Sequence, residues 1–314
     1  MKKPLIVLTG PTAVGKTKLS ISLAKAVGGE IISADSMQVY KYMDIGSAKI
    51  MPEEMQGIPH YLVDELMPDE EFHIVRFQQM AKNAMEKIYA NGHIPILVGG
   101  TGFYIQAVTR DIAFTQAEQD DGYRAGLESL AQEKGASYLH RMLAEVDPKS
   151  ASDIHENNLK RVIRALEFYH QNGSPISAHN EEQQERTSPY NLAYFVLNAP
   201  RELLYERIDK RVDEMMAAGL VNEVQKLKDM GYHRGMVSMQ GLGYKEILAY
   251  LDGEMPLDEA VRILKRDTRH FAKRQLTWFR REPETEWINK DQFGFDDTKM
   301  LDHMLKICKS KILI

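Results

Sequence analysis

A short apolar run, Leu5-Ile6-Val7-Leu8-Thr9, stops abruptly at Gly10-Pro11-Thr12-Ala13-Val14-Gly15-Lys16-Thr17, and a helical pattern with Leu19, Leu23, Ala24 and Val27 on one face follows. The eight residues fit G-x-x-x-x-G-K-[ST] in the strand–loop–helix setting which that pattern requires. The glycines let backbone N–H groups turn inward around a phosphate, and the helix beginning near Lys16 adds the positive end of its dipole. Lys16 contributes a point charge, and the Thr17 hydroxyl can hold Mg²⁺. This chain must therefore build a cradle for a polyphosphate, without the cradle saying which one. A nucleotide hydrolase of this type also carries an acidic residue at the end of an apolar strand to organise Mg²⁺. The apolar run 94–98 ends instead in Gly99-Gly100-Thr101-Gly102, which weakens a hydrolase reading. A metabolite kinase and a non-catalytic RNA-binding nucleotide switch remain as rivals.

Further short runs at 30–34 and at Ile94-Pro95-Ile96-Leu97-Val98 are separated by a helical pattern over 74–90. Buried strands alternating with helices predict a parallel sheet covered on both faces. From residue 113 no strand pattern appears until Ala193-Tyr194-Phe195-Val196-Leu197. The segment between reads as helices, with Leu159, Val162, Ile163, Leu166 and Tyr169 on one face, and His179–Ser188 reads as a polar loop or linker. The expected fold is α/β: a P-loop-type parallel sheet flanked by helices, with an inserted all-helical domain. Residues 1–112 and 190–314 form the catalytic core and 113–189 the insert, and the chain after residue 200 reads as helical. A length of 314 residues with 43% hydrophobic content supports two such units.

The lone cysteine, Cys308, rules out an internal disulfide and suits a reducing cytosol. The start is too short to be a signal peptide, and no run reaches membrane-spanning length. A cytoplasmic protein away from membranes is expected. The net charge is −5, so any RNA contact needs its positive charge gathered in patches. One such patch is plain. Arg262 to Arg281 holds eight Lys and Arg, opposed only by Asp267, with Phe271, Trp278 and Phe279 interleaved. Charge plus stacking rings suits a loop of RNA, although a solvated helix face over a core stripe gives the same pattern. Residues 115–189 are the reverse, with 13 acidic residues against 8 basic ones.

In parallel sheets ligands bind beyond the carboxyl ends of strands. Three ends carry candidates: the cradle, Asp35-Ser36-Met37-Gln38-Val39-Tyr40, and Gly99-Gly100-Thr101-Gly102-Phe103-Tyr104. If these strands are neighbours, Asp35 and Thr101 lie near the phosphates. Asp35 is then either a group with a role in proton or metal chemistry or the cap of a turn. His60 and His73 read as turn or surface residues, since no Cys/His spacing supports zinc.

These segments, together with Asp44-Ile45-Gly46, Ala48-Lys49, Asn158–Glu167, Arg211–Val224, Gly243–Glu246 and Lys273–Arg280, resemble in order and over nearly the whole chain the bacterial tRNA dimethylallyltransferases. Phe103 and Ser47 depart from the family pattern, at positions where an aliphatic residue and Thr are expected. The resemblance implies that the polyphosphate is dimethylallyl diphosphate, bound by Gly10, Pro11, Thr12, Ala13, Val14, Gly15, Lys16 and Thr17 with Arg211. The partner is implied to be the anticodon stem-loop of a tRNA, and the target the exocyclic amine of the adenosine just 3′ of the anticodon. Asp35 is the expected general base and Thr101 its catalytic companion. Ser36, Met37 and Gln38 are expected beside the flipped base. Lys273, Arg274, Gln275, Thr277, Trp278 and Arg280 are expected on the surrounding RNA, with Arg124, Arg161 and Arg164 reaching it from the insert. Mg²⁺ at Thr17 is the implied cofactor and a monomer the implied state.

Overall fold

Side-chain alternation along β1 (Pro4–Thr9) sends Leu5 and Val7 to one face of a sheet and Ile6 and Leu8 to the other, all fully buried. Burial on both sides is what a strand in the middle of a covered parallel sheet needs. The computed structural model describes residues 2–114 and 121–311. With β2 (Gly29–Ala34), β3 (His60–Tyr61), β4 (Ile94–Gly99), β5 (Asn191–Asn198) and β6 (Thr285–Asn289), β1 forms a six-stranded sheet ordered β3-β2-β4-β1-β5-β6. Every pairing is parallel. The three strands whose ends carry the candidate residues, β2, β4 and β1, are consecutive in that order.

The helices before the insert are α1 (Lys16–Val27), the single turn α2 (Pro52–Met55), α3 (Ile74–Ala90) and α4 (Gly102–Thr109). The insert carries α5 (Asp121–Lys134), α6 (Ala136–Val146), α7 (Pro148–Asp153), α8 (Leu159–Asn172) and α9 (Ile176–Glu185). After it come α10 (Arg201–Ala217), α11 (Leu220–Asp229), α12 (Tyr244–Leu251), α13 (Leu257–Phe279) and α14 (Asp297–Ser310). Phe77 and Ile88 of α3, Tyr104 of α4 and Phe279 of α13 pack on the face of Leu5 and Val7. Leu19 and Leu23 of α1 and Met300 and Met304 of α14 pack on the opposite face. Cys308 is buried there as a free thiol, its pKa pushed up to about 11 by burial. Among the described residues no helix is long and apolar enough to cross a membrane.

The chain divides into two units, Met1–Asp111 with Ser188–Ile314, and Ile112–Thr187. The insert has its own core, in which Leu139, Leu143, Val162 and Leu166 are buried. Its buried Asp147 accepts from the Ser150 and Ser177 amides at 2.9 and 3.0 Å and from their hydroxyls at 2.7 and 2.6 Å. Burial alone would raise its pKa, but these four donors outweigh it and hold the carboxyl below its ordinary value.

Two local expectations change. His179–Ser188 is mostly helix, since α9 runs to Glu185. It has no apolar stripe to betray it. Its first turn is tied down by Ser177 on Asp147, and Gln183 is buried with its side-chain oxygen accepting from the Ala113 amide at 3.3 Å. The chain after residue 200 is not purely helical either. β6 pairs with β5 at the sheet edge, but Ile288 is its only fully buried residue, so it lacks an apolar signature.

Candidate functional site

The cradle is built by backbone shapes that its sequence permits. Gly10 takes φ +145°, and a Cβ there would lie 2.5 Å from the Leu197 carbonyl oxygen. Gly15, at φ +91°, caps the N-terminus of α1 in the left-handed region that glycine enters freely. Ala13 takes φ +62° without that freedom, a local strain of the kind stored at binding loops. Lys16 folds back over the loop, its ammonium donating to the carbonyls of Gly10 and Pro11, both at 2.9 Å. Burial lowers its pKa to about 8; nearby Arg211 pushes the same way and Asp35 opposes.

β2 delivers Asp35 to the same place. Its Oδ1 accepts from the Met37 and Gln38 amides at 2.8 and 3.4 Å, so the turn-capping reading is correct as geometry. Oδ2 has no hydrogen-bond partner among the described residues, and Asp35 lines a cavity of about 320 Å³ together with Lys16, Thr17, Gln38 and Arg211. Capping and chemistry are thus compatible: one oxygen fixes the side chain and the other stays available.

β4 closes on β2 to the limit of contact. A Cβ on Gly99 would lie 2.2 Å from the Ala34 carbonyl oxygen, and the Thr9 hydroxyl donates to the Gly99 carbonyl at 2.7 Å. Thr101 is the N-cap of α4; its carbonyl accepts the Tyr104 and Ile105 amides at 3.0 and 3.1 Å, and its own amide donates to Ala34 at 3.2 Å. Gly99 and Gly100 line the cavity, whereas Thr101 stands one residue beyond its lining. Thr12, Ala13 and Gly15 also line it. Gly10, Pro11, Val14, Ser36 and Met37 do not, and Met37 packs instead against Gly241.

α10 contributes more cations than the sequence reading named. Arg207 and Lys210 line the cavity beside Arg211. The signal was present, because positions 207, 210 and 211 share one helix face. Burial lowers the pKa of Arg211, with Asp35, Glu214 and Glu54 acting in the opposite sense. Four cationic side chains face Asp35 and Glu214 across the lining, so the cavity is suited to an anion of more than one charge. For Mg²⁺ the donor set fits: Thr17 is exposed and lines the cavity beside Lys16. No cluster of three acidic, His or Cys side chains competes for a metal among the described residues. A Ser or Thr hydroxyl at this position of the loop is an ordinary Mg²⁺ ligand, with phosphate oxygens and water as its other ligand types.

The basic stripe divides along α13. In its first half Arg262 pairs with Glu259, Lys265 with Asp213, Arg266 with Asp267 and Arg269 with Asp209. In its second half Lys273, Arg274, Arg280 and Arg281 are exposed and have no ion pair among the described residues. Arg274 lies 5.8 Å from the Phe271 ring centre. Lys273, Arg274, Thr277 and Trp278 line a shallow pocket of about 360 Å³. Trp278 packs so close to the third strand-end loop that a Cβ on Gly102 would lie 2.2 Å from its ring.

Gln275 departs from its expected place on RNA. It is buried, its Oε1 accepts the Thr12 amide and its Nε2 donates to the Gly100 carbonyl, both at 2.9 Å. The residue is a tie between two strand-end loops, facing inward from the helix that carries the open cations. In the insert, Arg124 bonds to Glu128 at 3.3 Å and to Glu167 at 3.5 Å, while Arg161 and Arg164 are exposed on α8.

A family model described as IPP transferase matches residues 38–282. The chain is 61% identical over 312 residues to a tRNA dimethylallyltransferase of Lachnoclostridium phytofermentans, covering 99% of both chains. It is 54% identical over 293 residues to one of Acetivibrio thermocellus, covering 93% of this chain and 94% of that one. Among solved structures it resembles the tRNA isopentenylpyrophosphate transferase of Bacillus halodurans with TM-score 0.74 and 44% identity, over 99% of this chain and 98% of the other. A eukaryotic dimethylallyltransferase described as acting on tRNA gives TM-score 0.79 at 32% identity, over 91% of this chain and 74% of that one.

Proposed function

The chain belongs to the IPP transferase family, and from that membership and the cavity we propose that it transfers the dimethylallyl group of dimethylallyl diphosphate to the exocyclic N6 amine of the adenosine immediately 3′ of the anticodon in tRNA, releasing diphosphate. The observation that carries this reading is one cavity in which the Asp35 carboxylate meets Lys16 and Arg211.

The adenine amine is a weak nucleophile because its lone pair is delocalised into the ring. Lys16, Arg211 and the loop amides stabilise charge where the allylic C–O bond breaks and its electron pair moves to the diphosphate. Mg²⁺, held by Thr17, would neutralise further phosphate charge. As the N–C bond forms, the amine proton passes to Asp35, a role worth about 10²–10⁴-fold in rate. The adenine must leave its stack to reach this point, at a cost on the order of a few kcal/mol that is least in a loop. Gln38, which lines the cavity, contacts the extruded base in this reading, and Ser36 and Met37 precede it in sequence. Thr101 acts from just outside the lining. Lys273, Arg274, Thr277, Trp278 and Arg280 hold the surrounding RNA, and the insert's Arg161 and Arg164 offer further phosphate contacts. The protein works as a monomer in the cytoplasm.

The test is incubation of purified protein with Mg²⁺, dimethylallyl diphosphate and an unmodified anticodon stem-loop. Diphosphate release with a one-prenyl gain in nucleoside mass is expected. Asp35→Ala should lower the single-turnover rate about 10²-fold or more at nearly constant tRNA affinity. ADP formation from ATP with no change in the RNA would instead favour a kinase.

A further inference from the structure

Residues 43–50 form the loop that follows the Asp35 turn, and its last part enters the cavity: Ser47, Ala48 and Ile50 line it beside Lys16 and Asp35. Nothing in the sequence of this loop fixes its path by periodicity or by secondary structure. Its backbone is held from another element. Glu223, in the first turn of α11, places Oε2 on the amides of Asp44 and Ile45 at 3.0 and 2.7 Å. Its Oε1 accepts the Gly46 amide at 3.1 Å and the Tyr244 hydroxyl at 2.8 Å. Three successive amides converging on one carboxylate make an anion-holding nest, here filled by a side chain of the protein itself.

The surroundings leave this arrangement little freedom. A Cβ on Gly46 would lie 2.6 Å from the Tyr244 ring, so the loop lies flat against that ring only because residue 46 is glycine. Burial and the Glu223 carboxylate push the Tyr244 hydroxyl well above its usual range, which keeps it protonated as a donor. Downstream, the Ala48 carbonyl accepts Gln38 Nε2 at 3.2 Å, and the buried Lys49 ammonium donates to the Tyr40 carbonyl at 2.6 Å and to Asp44 at 2.6 Å. The chain of contacts therefore runs from Glu223 through the 44–46 amides to the residues of the cavity wall.

We propose that Glu223 is a positioning residue for the prenyl diphosphate: its carboxylate, with Tyr244, holds the 44–46 backbone so that Ser47, Ala48 and Ile50 form one wall of the cavity that contains Lys16 and Asp35. This rests on the reaction proposed above. It predicts a defect in donor binding, separate from RNA affinity and from the chemical step. Glu223→Gln keeps the size of the side chain but turns one acceptor oxygen into a donor facing amide or hydroxyl hydrogens. The donor KM should rise about tenfold, the equivalent of one charged hydrogen bond lost. Meanwhile kcat stays within about threefold and tRNA Kd within about twofold. Tyr244→Phe removes one of the four donors and should raise donor KM by about threefold in the same pattern. Calorimetric binding of inorganic pyrophosphate to the full chain should weaken in parallel. A donor KM at the wild-type value in folded Glu223→Gln overturns the inference, as does a uniform fall of all three parameters. If Glu223→Gln does not fold, Tyr244→Phe decides by the same criteria. A wild-type protein that transfers nothing overturns the reaction itself, an outcome read in a separate arm.

Discussion

Replacing Gln275 with Leu tests how the cradle is held together. Gln275 satisfies a backbone donor, the Thr12 amide, and a backbone acceptor, the buried Gly100 carbonyl, at 2.9 Å each. Leucine matches its bulk but offers neither partner. A buried backbone group left unpaired costs about 1–3 kcal/mol. Thr12 and Gly100 both line the cavity, where water can reach part of what is left unpaired, so each share should sit in the lower half of that range. The two together give a loss of about 2–4 kcal/mol. For a unit of this size each kcal/mol moves the unfolding midpoint by about 2–4 °C, so a fall of about 4–16 °C in a calorimetric scan is expected. The donor KM should rise as the first and third strand-end loops drift apart, while tRNA Kd stays within about twofold. An unchanged midpoint together with a clear loss of tRNA affinity would refute the reasoning, and would return Gln275 to the RNA surface.

Lys16 predicts a pH effect with a definite sign. With its pKa lowered to about 8 in the free protein, it loses its charge as the pH rises, so donor KM should climb between about pH 7 and 9; a flat profile refutes this, and Lys16→Arg should abolish the climb. Lys273→Ala with Arg274→Ala removes two of the open cations on α13, so the slope of log tRNA affinity against log salt should flatten by about 1.4–1.8. The same double change at Arg262 and Arg266, which are already ion-paired, should alter the slope far less. In the insert, Asp147 has a lowered folded-state pKa, so its stabilisation is present above its unfolded pKa of about 3.9 and disappears as the pH falls through the folded value. Asp147→Ala leaves Ser150 and Ser177 donors unpaired and should destabilise the insert by about 2–4 kcal/mol at neutral pH, read by limited proteolysis within residues 121–187.

What was legible in the sequence follows from the range of each interaction. The cradle is local: eight consecutive residues contain the glycines, the lysine and the hydroxyl, and α1 begins at Lys16 as the pattern requires. The helix expected over 74–90 is present with those bounds, because Phe77, Ala81, Ala84 and Ile88 repeat at helical spacing. What was not legible depends on partners distant in sequence. Nothing near Gln275 announces that Thr12 and Gly100 will be its partners, so a polar residue inside a basic stripe reads as surface. Glu223 looks like one more acidic residue on a helix until the 44–46 amides are seen around it. β6 pairs at an edge with a single fully buried residue, and α9 is fixed by Asp147 rather than by an apolar face. The stripe is divided only by the fold, since acidic partners such as Asp209 and Asp213 come from α10.

The contact between Gly99 and Ala34 has a consequence for how the protein tolerates change. With a would-be Cβ 2.2 Å from a main-chain oxygen, even a methyl group at position 99 must wedge two adjacent strands apart at the ends that carry Asp35 and Thr101. The spacing between the Asp35 turn and the Gly99–Tyr104 loop is thus fixed by an atom the chain omits. No repacking of neighbouring side chains can restore it, because the obstacle is backbone, and alanine at this position should be as damaging as any larger residue.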